Sequence, residues 1–427
     1  MMSEQQDQAL VGRKAVLVSV YKGSGLKASC QEHLNELGLL AETHGIEVVH
    51  KEPCQVRKFD ASTYIGTGKL QELFETKDRL GANLVIFDDE ITPAQQRNLE
   101  KFFLVPVIDR TELILNVFAQ RAQTSEAQLQ IELARVRYEA PRLKRLWTHL
   151  SRQHGTGGGT AYLKGEGEKQ IEIDRRILKR KISRLQDELK EVESHRGTQR
   201  GARLRSEIPI FAIIGYTNAG KSTLINALTD AGVFVEDKLF ATLDPTTRKF
   251  TLKNNQDVLL IDTVGFIRKL PHLLVAAFKS TLEESVQADI LLHLIDVSHP
   301  MAEEQAATTY DVLQELGAGN KPIITVLNKI DQAETSMIQR LRLKYPRSVS
   351  ISALYKRGFD DLQEMMIDEL SKQRACIQVR IPQSDYALVS EVMRLGNILN
   401  QDYEENDILM RVDVPQALAG KLRKYVV

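Results

Sequence analysis

The chain has 427 residues, enough for two to four domains that each bury a core of their own. Its 57 Lys+Arg and 57 Asp+Glu cancel, so total charge excludes no class of partner and only the distribution of charge is informative. No stretch reaches the roughly 18 apolar residues needed to span a bilayer. The first ten residues lack an apolar signal core, and Cys30, Cys54 and Cys376 fit no metal-ligand or CxxC spacing. A reducing, cytoplasmic setting without an integral membrane segment is expected.

Residues 13–110 alternate short apolar runs with amphipathic stretches. Ala15–Val20, Glu47–His50, Leu84–Phe87 and Val105–Ile108 read as strands, with helical patterns at Leu34, Leu37 and Leu40 and from Pro93 onward. This predicts a parallel α/β domain over 1–110. Gly66-Thr-Gly68-Lys69 precedes a helix, where backbone N–H groups can hold a phosphate; an ordinary tight turn is the better reading of so short a match.

Residues 111–206 read as a helical hairpin. One helical pattern runs from about Thr111 to Leu150, with a break expected before Pro141. A second starts near Lys169, where Ile171, Leu178, Ile182, Leu185, Leu189 and Val192 trace a coiled-coil seam. The loop joining them, 154–168, holds six glycines. Residues 131–206 contain 19 Lys+Arg against 10 Asp+Glu, a net of +9 that the rest of this neutral chain must balance. Such segregation points to a polyanion, and RNA is the expected partner, with DNA not expected. A solvated coiled-coil face is the alternative.

The strand-helix alternation resumes over 207–372 and carries four short signatures. The apolar run ending at Ile214 enters Gly215-Tyr216-Thr217-Asn218-Ala219-Gly220-Lys221-Ser222, and a helical pattern leaves it, as in a phosphate loop. Its N–H groups and helix N-terminus suit phosphate oxygens, Lys221 the β/γ-phosphates, and the Ser222 hydroxyl a Mg²⁺ ion. Forty residues beyond Ser222, a strand over Val258–Ile261 delivers Asp262-Thr263-Val264-Gly265. Asp262 is a carboxylate for the metal, directly or through water, and Gly265 can offer its N–H to the γ-phosphate. Between these lies Phe240-Ala241-Thr242-Leu243-Asp244, read as a first switch. Thr242 is the expected second Mg²⁺ ligand, with Thr246 its rival.

Asn328-Lys329-Ile330-Asp331 follows a strand over Ile323–Leu327, and Ser352-Ala353-Leu354 follows another. Asp331 can accept the N1 and N2 hydrogens of guanine, a pair adenine lacks, so GTP and GDP are the expected ligands. Phe266 stands where Ras-like proteins use a Gln to orient water, so no side chain is assigned as catalytic. Unaided turnover at or below roughly 10⁻³ s⁻¹ is expected. Asn218 is a candidate ligand for K⁺ near the phosphates. The last stretch, 373–427, reads as strand (Cys376–Ile381), helix (Tyr386–Leu399), strand (Ile408–Val414) and closing helix. The fold class is thus α/β multidomain: a parallel α/β domain, a coiled-coil hairpin, a Ras-like P-loop domain and a small α/β appendage.

These signatures, written GYTNAGKS, FATLDPT over Phe240–Thr246 and DTVGF over Asp262–Phe266, together resemble the HflX family of translational GTPases. So does VIDRT over Val107–Thr111. The stretch Gly165–Arg176, GEGEKQIEIDRR, is similar to that family's GPGE-type segment, with Glu166 in place of proline, which makes the tip looser and less suited to RNA. The resemblance implies a monomeric, ribosome-associated GTPase that binds the large subunit and its rRNA through the hairpin and splits stalled ribosomes. It also implies two alternatives: a role in large-subunit assembly, or ATP-dependent RNA unwinding by the N-terminal domain at Gly66–Lys69.

Overall fold

A computed structural model of the chain describes residues 10–142, 173–192, 208–229, 239–240, 246–271, 287–372, 374–404 and 406–427. The chain divides into two units: residues 1–195 with 236–244 and 268–280, and the remainder.

The first unit is built on a four-stranded parallel sheet ordered β2-β1-β3-β4, from β1 (Lys14–Tyr21), β2 (Glu47–Gln55), β3 (Leu84–Phe87) and β4 (Val107–Asp109). Helices α1 (Lys27–His44), α2 (Thr67–Arg79) and α3 (Pro93–Phe103) connect the strands. Val16, Val18, Val85 and Phe87 bury one sheet face against Leu70, Leu73 and Leu99 of the helices. The capping box of Thr92 and Gln95, with Pro93 at the first helical position, fixes where α3 begins. β2 runs five residues past the expected His50 and contains Pro53. It is an edge strand, and an edge tolerates a residue without an N–H.

The single helix expected from Thr111 is in fact two, α4 (Arg110–Arg121) and α5 (Ser125–Glu139). Ala122 is extended, and the Thr124 side chain accepts from Ala127 N, restarting the helix three residues later. A break therefore falls at 122–124 in addition to the expected one before Pro141, where α5 ends at Glu139 and a 3-10 turn spans Ala140–Arg142, and α4 packs against α1. Helix α6 (173–192) lays Leu178, Ile182, Leu185 and Leu189 against Leu129, Leu133 and Val136 of α5, the seam the spacing predicted. Lys181 pairs with Glu132 across it at 2.7 Å. The glycine-rich tip, 154–168, lies outside the described residues.

The second unit has a six-stranded sheet ordered β10-β9-β8-β5-β7-β6. It comprises β5 (Ile210–Gly215), β6 (Thr246–Thr251), β7 (Asp257–Asp262), β8 (Ile290–Asp296), β9 (Ile323–Asn328) and β10 (Ser348–Ser350), of which only β6 is antiparallel. Helices α7 (Lys221–Thr229), α8 (Ala302–Glu315), α9 (Thr335–Lys344) and α10 (Phe359–Lys372) accompany it. The central strands are buried on both faces, which is why they read as continuous apolar runs.

The last segment differs from the βαβα expectation. It is β11 (Arg374–Pro382), α11 (Tyr386–Leu395), β12 (Asn397–Glu404), β13 (Asp407–Pro415) and α12 (Gln416–Leu422), with the sheet ordered β11-β13-β12 and antiparallel. β12 is an edge strand of mostly polar residues, so it shows no apolar alternation, and the helix stops at Leu395, before Gly396.

One buried polar group in the second unit bears directly on stability. His293, in β8, is fully buried with its ring edge-on to Tyr310, and neither ring nitrogen has a hydrogen-bond partner among the described residues. Burial, aided by the nearby Lys221 charge, lowers its pKa from 6.5 to about 3. Between those values the unfolded chain binds the proton and the folded chain does not, so stability falls as pH drops below 6.5. The limiting slope is about 1.4 kcal/mol per pH unit. Urea unfolding of His293→Leu from pH 7 to 4 should show a shallower loss than the parent; equal slopes would mean His293 protonates without cost.

Candidate functional site

The four signatures of the second unit meet at one edge of its sheet. Gly215, Asp262 and Asn328 end β5, β7 and β9, and Ser352 follows β10. The order reverses about β5, and in such sheets ligands bind outside the carboxyl ends at that reversal.

Two backbone bonds join the phosphate loop to the Asp262 segment: Thr217 N donates to Phe266 O at 2.7 Å, and Phe266 N to Gly215 O at 3.0 Å. The Thr263 hydroxyl donates to Ile213 O at 2.7 Å. Gly265 sits so close that a Cβ there would stand 2.7 Å from Lys221 Nζ and 2.8 Å from Thr217 Cα. Only a residue without a side chain can bring its N–H this near the loop.

Lys221 is buried, and its ammonium donates to Tyr216 O at 2.8 Å and Gly215 O at 3.3 Å. Burial lowers its pKa to about 8, against the opposing pull of Asp262. A triphosphate would supply the negative charge this ammonium lacks. Ser222 Oγ donates to Asp262 Oδ2 at 2.8 Å, and Asp262 is fully buried. A hydroxyl and a carboxylate in contact are hard oxygen donors, the set that suits Mg²⁺ held jointly by protein and phosphate.

The base-side loops hang on Asn328. Its Nδ2 donates to Ala219 O at 2.8 Å and its Oδ1 accepts from Ala353 N at 3.0 Å, so one amide ties the phosphate loop to the Ser352 loop. Gly220 has φ +92°, and a Cβ there would meet that amide at 2.4 Å. The Ser352 hydroxyl donates to Asp331 Oδ1 at 2.5 Å. Lys329 is held by Asp296 at 2.7 Å. Asp296 was missed in the sequence, yet it ends β8 in register with Asn328, and an Asp closing an apolar run was the available signal.

The Phe266 ring is 1% exposed, so the residue in the water-orienting position points into the core. Phe240 belongs to the first unit, where its ring packs 4.4 Å from that of Phe118 of α4. Ala241, Thr242, Leu243 and Asp244 lie outside the described residues. Thr67, Gly68 and Lys69 form the first turn of α2 behind the cap Gly66, so the helix begins earlier than a tight turn would allow, and Lys69 pairs with Glu52 at 2.8 Å and Glu72 at 2.7 Å.

A family profile described as "50S ribosome-binding GTPase" matches residues 210–329. Profiles described as "GTP-binding GTPase N-terminal" and "GTP-binding GTPase Middle Region" match 31–119 and 121–203. A GTPase HflX of Chlamydia pneumoniae is 47% identical over 97% of this chain and 88% of its own length. The chain belongs to the HflX GTPase family. Another member, from Escherichia coli, is 40% identical over 96% of this chain and 95% of its own. A solved GTP-binding protein of Sulfolobus solfataricus, in complex with GDP, is 25% identical, with a TM-score of 0.44 over 84% of this chain and 99% of its own. As an HflX-family enzyme, the chain binds and hydrolyses GTP.

Asn328→Ala would leave Ala219 O and Ala353 N buried without their partner. Losing that brace should weaken GDP and GTP binding about 30-fold or more, roughly 2 kcal/mol, in a fluorescent-nucleotide titration. Unchanged affinity would mean the loops hold their register without it.

Proposed function

We propose that the chain is a Mg²⁺-dependent GTPase of the cytoplasm that binds the large ribosomal subunit as a monomer and splits or remodels stalled ribosomes. Hydrolysis in this reading is stimulated by the ribosome. The observation that carries the nucleotide half is the meeting of four signature loops at one sheet edge, tied by Asn328 and closed by Gly265. The ribosome half is supported by the +9 hairpin segment and by the family description of residues 210–329.

The phosphates lie in the loop Gly215–Ser222, with Lys221 leaving its carbonyl partners for their oxygens. Ser222 and Thr242 would hold Mg²⁺, with the Ser222 hydroxyl hydrogen-bonded to Asp262. When bound, this ion neutralises charge on the phosphate oxygens. Gly265 reads the γ-phosphate through its N–H, Thr263 and Val264 setting the strand exit that presents it. Asp331 accepts two guanine hydrogens, Lys329 covers the base, and the Ser352-Ala353-Leu354 turn aims an N–H at guanine O6. Asn218, at φ +60°, is the candidate K⁺ ligand. With Phe266 turned inward, no side chain of the described site orients the attacking water, so a partner must order it.

Removing one face of the base pairing, Asp331→Asn should weaken GTP by about 100-fold, because the amide opposes guanine N1–H with a donor of its own. Equal binding of GTP by both proteins would place base selection elsewhere.

GTP turnover should rise at least tenfold on adding purified large subunits in K⁺ buffer. Binding should fall steeply with salt and be tighter with a non-hydrolysable GTP analogue than with GDP. In sedimentation, whole ribosomes should be converted to subunits. Engagement of immature particles alone would favour the assembly role, and turnover indifferent to ribosomes would end the proposal.

A further inference from the structure

The parallel sheet of the first unit has a reversal of its own. The chain steps from β1 to β2 on one side, then crosses back to β3 on the other. The crevice outside the carboxyl ends of β1 and β3 is where such a sheet takes a ligand. β3 delivers Asp88 there, fully buried, its N–H bonded to Val18 O of β1 at 2.8 Å and its carboxylate reached by the Ser19 hydroxyl at 3.4 Å.

Peptide fills this crevice. Arg268 Nη2 donates to Asp88 Oδ2 at 2.7 Å, and Lys269 Nζ to the same oxygen at 3.0 Å. Lys269 also pairs with Asp89. From α4, Arg110 bonds Asp88 Oδ1 at 2.9 Å, pairs with Glu36, and donates its Nε to the main-chain carbonyl of Arg268 at 3.0 Å. Side chains and backbone of one dipeptide are thus both held, and all these residues belong to the first unit.

We propose that this crevice is a receptor for a cationic peptide segment, that its resident ligand is Arg268–Lys269 of the same chain, and that it is not a nucleotide site. The charge balance selects the ligand class. With the segment in place, Arg110, Arg268 and Lys269 face Asp88, Asp89 and Glu36, three cations against three carboxylates. With it removed, one cation faces three carboxylates, which repel a triphosphate and attract a basic peptide. Lys69, the cation of the Gly66–Lys69 match, is already committed to Glu52 and Glu72.

The occupant follows Gly265 by three residues in the chain. Arg110 is preceded by Asp109, which caps α4 through Glu112 N at 2.9 Å and accepts from the Tyr138 hydroxyl at 2.9 Å and from Arg142 at 3.3 Å. Neighbouring residues of α4 thus hold the crevice's occupant, through Arg110, and the C-terminal end of α5, through Asp109.

The test needs no ribosome and so stands apart from the proposed function. In the full chain with GDP bound, Arg268→Ala/Lys269→Ala should raise amide exchange of residues 266–271 at least tenfold and leave β1 and β3 unchanged. Lys269→Glu should loosen the segment, and adding Asp89→Lys should restore it. The double-alanine chain should bind a labelled peptide of residues 264–271 at least tenfold more tightly than the parent does, and should not bind Mg-ATP at this crevice, read with GDP filling the GTPase site. Unchanged exchange, absence of rescue, no peptide binding, or uptake of ATP in place of peptide would each overturn the assignment.

Discussion

The buried carboxamide of Asn328 is the constraint on which the nucleotide loops depend. A phosphate loop, a base-recognition loop and a Ser-Ala turn are each short and lie at the carboxyl ends of the strands. What fixes their spacing is one side chain that donates to Ala219 O and accepts from Ala353 N. A carboxylate there could only accept and an ammonium only donate; an amide does both from a single rigid plane. The bond to Ala219 in turn requires that residue 220 carry no Cβ, since one would stand 2.4 Å from the donating nitrogen. Two residues more than a hundred positions apart are thereby fixed in identity by one contact.

Much of this was legible in the sequence because the chemistry of phosphates and guanine demands particular atoms at particular spacings. The loops Gly215–Ser222, Asp262–Gly265 and Asn328–Asp331 sit where the strand boundaries put them, and the seam of Leu178, Ile182, Leu185 and Leu189 packs as its spacing predicts. The break at 122–124 was not legible, because Gln123, Thr124 and Ser125 are compatible with a helix interior, and only the Thr124 cap shows that the chain restarts there. β12 was missed because an edge strand facing water need not alternate. His293 left no signal at all: within an apolar run, its burial against Tyr310 depends on an α8 residue that periodicity does not pair with it.

The charge distribution has two scales. Along the sequence, 131–206 carries an excess of +9 and the remainder its opposite. Within the first unit, charges that are far apart in sequence are brought together and cancelled one for one around Asp88. Burial alone would raise the pKa of Asp88, but Arg110, Arg268 and Lys269 hold it well below the ordinary carboxylate range. A buried ionic cluster of this kind adds little net stability, since desolvation consumes most of the Coulombic gain. It does penalise any arrangement that removes one partner and leaves the others uncompensated. Its contribution is specificity of position, which a patch of apolar side chains would supply less sharply.

Arg110 shows why that positional role is the better account of the cluster. It is the first residue of α4, where the helix end carries partial positive charge and favours anions. Asp109, the cap, obeys that rule; a guanidinium immediately after it does not. Arg110 is also among the most deeply buried side chains of the described protein, at 1% exposure, so its charge cannot be relieved by water. Both costs are offset only while Asp88, Glu36 and the Arg268 carbonyl are in place. A residue set against local preference persists where a distant contact requires it. The contact here is with the peptide three residues beyond Gly265. Since Asp109 faces Tyr138 and Arg142 while Arg110 faces Arg268, one peptide bond separates the grip on the end of α5 from the grip on that segment.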